Sequence, residues 1–387
     1  MNPASSPKRR TLVRKAARGY RSLAIMLLNT LVLLLLLELG ARALLPPQPI
    51  FWHSNANVAV DPTTLPYYRA QAWTADYWRE LGRYRTRYQP YLGWRGAPLD
   101  GAMITIDEQG LRQTPGAACS PEAYTVFTFG GSTLWGQGAP DWGAIPAYLQ
   151  QGLQTAGKNP VCVVNFGELA FASTQSLIQL ITRLQADHRP DLVLFYEGIN
   201  DVLAAYQSGQ AGAHLNLQSI AEKYERREHP LLTFLKGKAL YKLTQRLVAT
   251  PAPITYQTMG LDPGDLADSI VAVYLKNYEI VEALAAQYGF DYVFFWQPVL
   301  VLGKKPLTMD EQAIKDATDP ALVLLFEETH QRIERAAPVH PNLHDLSHVL
   351  DEQQAQIWFD PLHITPEGNH LMAQAMLDVL ARQRSGE

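Results

Sequence analysis

The residues best placed to do chemistry fall in four blocks along the 387-residue chain. They are FTFGGSTLWGQG around Ser132, VVNFG ending at Gly167, FYEGIND around Asn200, and WFDPLHIT holding Asp360 and His363. A hydroxyl is a poor nucleophile at neutral pH. It needs a base within hydrogen-bond reach, a group that orients the base, and donors for the oxyanion that forms. Ser132, His363 and Asp360 supply the first three types, and Asn200 with backbone N–H groups supplies donors. Each block also has a plainer reading. Ser132 follows the β-forming run Tyr124–Phe129 and two glycines, which is how a chain leaves a buried strand by a tight turn. Asn165-Phe166-Gly167 ends a second apolar run, and Asn200-Asp201 after a third run reads equally as a turn or helix cap.

In the last block Asp360 and His363 stand three apart, just before Thr365-Pro366-Glu367. That tripeptide is a helix start: Thr365 caps, Pro366 suits the first helical position, and Glu367 favours the positive helix end. The acid and imidazole therefore lie on the loop entering the last helix. All three preceding blocks end strands, and in an open parallel sheet the loops at the carboxyl ends of strands are where ligands bind.

Taken together, the blocks resemble those of the SGNH (GDSL) hydrolases, with Ser132, Gly167, Asn200 and His363 at the four named positions and the likeness running from about Thr125 onward. The commonest family form has Asp at the place of Gly131; glycine there resembles the membrane-anchored bacterial branch. The resemblance implies a three-layer α/β/α domain with a central parallel sheet and no cofactor or metal. It also implies Ser132 as nucleophile, His363 as base, Asp360 as orienting acid, and an oxyanion hole from the N–H groups of Ser132 and Gly167 and the amide of Asn200.

Composition fits a folded α/β domain beside one membrane element. The formal net charge is only −4 and 47% of residues are apolar, so there is no basic nucleic-acid footprint. Seven basic residues from Lys8 to Arg21 precede any acid, and Leu23–Leu37 is apolar except for Asn29 and Thr30. Extended through Glu38 and Arg42 to Leu45, the segment reaches the roughly 20 residues a span needs. Glu38 and Arg42 are four apart and can pair on one face near the far end. The basic side stays in the cytoplasm by the positive-inside bias, which leaves the rest of the chain outside. A cleavable signal peptide is the competing reading, since Ala41-Arg42-Ala43 has small residues at cleavage spacing. An arginine inside that site and a glutamate before it favour an anchor that Pro46-Pro47 ends.

The expected organisation is a basic cytoplasmic segment (1–22), a transmembrane anchor (23–45), an aromatic-rich linker with added strands (46–118), and the hydrolase domain (119–387) with a helical insertion at about 202–264. Helices over Ile145–Thr155 and Thr174–Ala186 alternate with strands as a parallel sheet requires. Further helices are expected over Leu266–Tyr288 and, broken at Asp319-Pro320, over Met309–Ala336. The linker rings, from Trp52 through Tyr67, Tyr68, Trp73, Tyr77 and Trp78 to Trp94, either stack on sugars or pack the linker onto its domain. In the insertion an apolar and basic stretch (Leu231, Leu232, Phe234, Leu235, Leu240, Tyr241, Leu243 and Leu247 among Lys236, Lys238, Lys242 and Arg246) is read as a helix packed on the body, a lid or a membrane-surface helix. Gln297, leaving the strand Tyr292–Trp296, is a candidate pocket residue or, equally, one that only satisfies local backbone groups. Cys119 and Cys162, near one sheet edge, are a candidate disulfide if the domain lies outside the cytoplasm. His344 and His348 are four apart beside His340, but Asp345 stands where a metalloprotease helix needs Glu, so the stretch is read as a polar loop.

Three functions follow. One is hydrolysis of a small ester on an envelope glycan or lipid. Another is transfer of the acyl group from Ser132 to a sugar hydroxyl, and the third is a membrane-tethered binding or assembly role without catalysis. Oligomeric state is not legible.

Overall fold

The computed structural model describes residues 7–44, 61–157, 160–225, 234–235, 238–241, 243 and 254–385. Of the expected features, Pro46-Pro47, Trp52, and Leu231, Leu232, Lys236, Lys242, Arg246 and Leu247 lie outside these residues. The chain divides into two units, Met1–Pro49 with Glu222–Ala252, and Ile50–Ala221 with Pro253–Glu387.

In the larger unit a hairpin of β1 (Thr86–Gln89) and β2 (Gly93–Gly96) precedes a five-stranded parallel sheet. The sheet comprises β3 (Tyr124–Gly130), β4 (Val161–Asn165), β5 (Leu192–Glu197), β6 (Asp291–Trp296) and β7 (Leu343–Asp345), in the spatial order β4-β3-β5-β6-β7. Strand order reverses at β3, so the crevice outside its carboxyl end, where Ser132 follows, is the topological switch point.

The strands are apolar on both faces because both are covered. Phe127, Phe129, Val193, Phe195, Phe294 and Trp296 face one layer, with side chains from the helices Ser173–Gln185, Ile199–Ser208, Pro263–Tyr288 and Pro320–Ala336. The alternate residues Val126, Val163, Leu192, Leu194, Val293 and Phe295 face the other, built on Ile145–Thr155 and Pro366–Ser385. This two-residue alternation gives the α/β/α sandwich expected from the sequence. The helix expected from Leu266 begins three residues earlier, at Pro263, where Asp262 accepts from the N–H groups of Gly264 and Asp265.

The expected 202–264 insertion is divided. Ile199–Ser208 is a helix of the larger unit, whereas 222–252 groups with the N-terminal helix. That helix, Pro7–Leu44, holds a 30-residue stretch, Lys15–Leu44, with mean hydropathy 2.3. At 1.5 Å per residue it extends about 45 Å, enough to cross a hydrocarbon core of about 30 Å. Glu38 and Arg42 pair at 3.1 Å. The same carboxylate also accepts the N–H groups of Ala239 and Leu240, each at 3.0 Å, so the smaller unit is joined through a charge carried by the apolar helix.

Most of the described linker rings pack onto the domain. Tyr68 is fully buried, edge-on to Trp73, Trp78 and Phe359, and its hydroxyl donates to the Gly138 carbonyl at 2.8 Å. Tyr88 and Tyr91 stay exposed. Cys119 and Cys162 form a disulfide with Cα atoms 4.7 Å apart, tying the approach to β3 to β4. A crosslink across 43 positions restricts the unfolded chain by about 4 kcal/mol in the loop-entropy account. Reduction is expected to lower the melting temperature by several degrees in calorimetry, whereas an unchanged transition would mean the link contributes nothing.

Candidate active site

Ser132 is the first residue of the short helix Ser132–Trp135, directly after β3 and the turn Gly130-Gly131. Its Oγ lies 2.7 Å from Nε2 of His363, and Nδ1 of His363 lies 2.6 Å from Oδ2 of Asp360. With the imidazole proton on Nδ1 toward the carboxylate, Nε2 keeps its lone pair for the serine hydroxyl. The other carboxylate oxygen, Oδ1, accepts the N–H groups of Leu362 and His363 at 2.8 and 2.7 Å. Asp360 thus holds both the ring and the backbone of the loop that carries it. His363 is 8% exposed, and Phe359 stacks on its ring at 5.7 Å.

A buried guanidinium sets the serine turn. Arg112, 1% exposed, donates Nη1 to the carbonyls of Trp135 and Gly136 at 3.0 and 2.7 Å and Nη2 to that of Ala139 at 2.6 Å. Its Nε donates to Asp141 at 2.7 Å, and it stacks on the Trp135 ring at 4.3 Å. The carbonyls at the end of a helix lack intrahelical partners, and here one cation takes several. Gly136, in the left-handed region at φ 99°, turns the chain out of the helix.

A buried carboxylate sets the histidine loop. Glu311 Oε1 accepts the N–H groups of Ile357 and Trp358 at 2.9 and 3.0 Å. Its Oε2 accepts Thr308 N–H at 2.9 Å and Lys305 Nζ at 2.7 Å. Burial pushes the Glu311 carboxyl up, but Lys305 and the three backbone donors outweigh it and hold it below the ordinary value. Thr308 and Glu311 form a capping box at the start of their helix, and Glu311 also reaches the loop 46 positions on.

Asn200 sits beside the serine turn. Its Nδ2 donates to the Phe171 carbonyl at 2.7 Å, and a Cβ on Gly131 would collide with that amide. Here Gly131 leaves room for the asparagine. Just before, Gly198 has φ 120°, and a side chain there would strike the Trp296 ring. Beneath lie two buried acids. Burial, reinforced by Asp201, pushes Glu197 well above the carboxylate range, and burial pushes Asp201 to about 6. Ser176 donates to Glu197, and Ser173 donates to Asp201.

Two expected site residues are placed otherwise. The Gly167 N–H donates to Asn165 Oδ1 at 3.0 Å, and a Cβ there would lie 2.8 Å from the Trp135 nitrogen. Gly167 is thus a close-packing position under the serine helix, with its donor already engaged. Three residues on, Ala170 has φ 65°, a conformation that suits glycine, next to the Phe171 carbonyl that Asn200 engages. Gln297 is 3% exposed, its Nε2 donating to Thr133 Oγ1 and to the Tyr196 carbonyl, its Oε1 facing the Ile199 N–H at 3.4 Å. It braces the sheet against the serine helix rather than lining a pocket. The histidines also separate: His340 bonds the Ala336 carbonyl, His344 lies by Gln383, and His348 pairs with Asp351.

The model of the GDSL-like Lipase/Acylhydrolase family matches residues 128–371. The chain belongs to that family. No curated protein matches the sequence. Among solved structures, the chain is similar to the acetyl xylan esterase AlAXEase, with 15% identity over 66% of this chain and 98% of that one and a TM-score of 0.37. It is also similar to a lipolytic G-D-S-L protein from Veillonella parvula DSM 2008 (14%, 67% and 98%, 0.36) and to TesA (15%, 66% and 97%, 0.36). Membership of this family makes the chain an esterase or acylhydrolase by class.

Glu311→Ala is expected to cost about 3 to 5 kcal/mol, because it strands Lys305 in the interior and frees the backbone of the histidine loop. Chemical denaturation measures this. Because the folded pKa is depressed, the contribution of Glu311 is present above the ordinary carboxylate pKa and disappears as pH falls through the folded value. The gap between wild type and variant should therefore narrow in acid.

Proposed function

We propose that the protein is a membrane-anchored serine esterase that cleaves a small ester outside the cytoplasm by way of an acyl-enzyme on Ser132. The observation that carries this reading is the chain of short hydrogen bonds from Ser132 through His363 to Asp360. In the forward step His363 Nε2 takes the hydroxyl proton as Oγ bonds to the ester carbonyl carbon. The tetrahedral intermediate collapses as His363 returns that proton to the departing alkoxide. Water, deprotonated by the same nitrogen, then attacks the acyl carbon, releasing the acid and restoring Ser132.

The oxyanion in this reading is met by the N–H of Ser132, the Asn200 amide and the N–H of Ala170, which takes the place expected of Gly167. The left-handed backbone at Ala170 and its nearness to the Asn200 amide support that substitution. The apolar N-terminal helix, the basic residues before it and the disulfide support an anchor with the catalytic unit on the oxidising side. The ester belongs in this reading to an envelope glycan or lipid, within reach of a tethered enzyme. Acyl transfer to a sugar hydroxyl shares every step up to the acyl-enzyme and differs only in what attacks it.

A panel of aryl and sugar acetates, each run with and without an added oligosaccharide acceptor, tests the reaction. Free acetate released at the same rate in both conditions supports hydrolysis; acetylated acceptor at the expense of acetate would make the protein a transferase, and no turnover of any ester would overturn the reading. Asn200→Ala should lower kcat roughly a hundredfold or more while leaving the melting temperature near wild type. Near-normal turnover would reduce Asn200 to a turn residue.

A further inference from the structure

A second cluster of chemistry-bearing side chains lies apart from the serine turn, on the helix Pro320–Ala336 and the turn after β7. His330 and Glu334 are four apart and so share a helix face. With His348 they place one ligand atom each within 4.8 Å of one another. His348 Nε2 lies 3.9 Å from Glu334 Oε1. Each imidazole is also engaged by a separate carboxylate: His330 Nε2 lies 2.9 Å from Asp345, and His348 Nδ1 lies 2.8 Å from Asp351.

That second feature distinguishes the cluster from an ordinary surface ion pair. Metal-binding histidines almost always give one ring nitrogen to a carboxylate, which fixes the ring and raises the basicity of the other nitrogen. Asp351 leaves His348 Nε2 aimed toward Glu334, where a cation would sit. Two imidazoles and a carboxylate are a donor set for zinc-like divalent ions and a poor one for calcium or magnesium. Ligand atoms around tetrahedral zinc stand about 3.3 Å apart, from bond lengths of about 2.0 to 2.1 Å. The part-exposed side chains of Glu334 (49%) and His348 (42%) can close that distance, while His330 is buried and fixed.

We propose that His330, Glu334 and His348 form a zinc-type divalent cation site, with solvent in the remaining position, that fastens the Pro320–Ala336 helix to the turn following β7. The site is independent of the ester chemistry. It contributes no group to Ser132, and its role is to brace the sheet edge, where Leu346 N–H bonds the Trp296 carbonyl at 3.1 Å.

The test uses the full chain in lipid nanodiscs, purified without a polyhistidine tag and stripped with a chelator. Zinc chloride alone is titrated calorimetrically, and cobalt(II) is used to read coordination from its visible spectrum. One zinc per chain, an intense tetrahedral cobalt band and a rise in melting temperature of several degrees are expected. His348→Ala and Glu334→Gln should each weaken zinc at least tenfold, and Asp351→Asn about tenfold to a hundredfold by releasing the His348 ring. If His348→Ala lowers the metal-free melting temperature, Glu334→Gln, at an exposed position, decides alone. No uptake by the wild type, or affinity lost less than tenfold in Glu334→Gln, overturns the site. Labelling of Ser132 by an active-site probe in the stripped protein keeps this outcome separate from the esterase reading.

Discussion

The hydrogen bond between Ser132 Oγ and His363 Nε2 joins positions 231 residues apart in sequence, and much of the fold serves to keep it at 2.7 Å. Neither partner lies inside a regular element that would hold it unaided. Ser132 opens a helix of a single turn, and His363 stands in the loop before the last helix. Each is steadied by one buried charge. Arg112 gathers the carbonyls beyond the serine turn, and Glu311 gathers the N–H groups at the start of the histidine loop. A buried charge is costly unless fully hydrogen-bonded, so each can rest only in an arrangement where those backbone groups converge. Asn369 adds a direct tie, its Nδ2 donating to the Gly143 carbonyl at 2.9 Å and so linking the last helix to the segment after Ser132.

What the sequence made legible, and what it hid, divides along the range of the interaction. Continuous apolar runs gave the core strands, and Thr365-Pro366-Glu367 gave the start of the last helix, because both patterns are written in consecutive residues. The Asp360–His363 spacing was readable for the same reason. Arg112 left no such mark, since its partners are carbonyls more than 20 positions away, and an arginine after Gly110-Leu111 resembles any strand residue. Gly167 attracted the donor role because a glycine after a strand signals close backbone approach. That approach is real, but it is to the underside of the serine helix at Trp135. The left-handed backbone at Ala170 was not legible either, because an alanine carries no sign of it. Gln297 was placed at the correct strand end with two roles open, a pocket or local backbone groups, and its bonds to Thr133, Tyr196 and Ile199 are of the second kind.

The segment between the apolar helix and the sheet has a physical role that its aromatic content only hinted at. Tyr68 and Tyr77 both bond Gly138, through its carbonyl and its N–H, and Tyr68 packs on Phe359, whose ring stacks on His363. One short stretch of chain therefore touches both sides of the Ser132–His363 pair. Tyr84 and the Gly96 N–H meet the buried Glu168 in the loop after β4, so the hairpin side of the segment reaches the loop that carries Ala170. The residues before the sheet are thus part of the site's framework.

The central claim is that Ser132 is the group acylated during turnover. The most direct measurement is reaction of the purified chain with a fluorophosphonate, followed by proteolysis and mass spectrometry of the adduct. A single stoichiometric adduct is expected on the peptide containing Ser132, blocked by prior incubation with an ester substrate and absent from Ser132→Ala. An adduct on another residue, or undiminished labelling of Ser132→Ala, would contradict it.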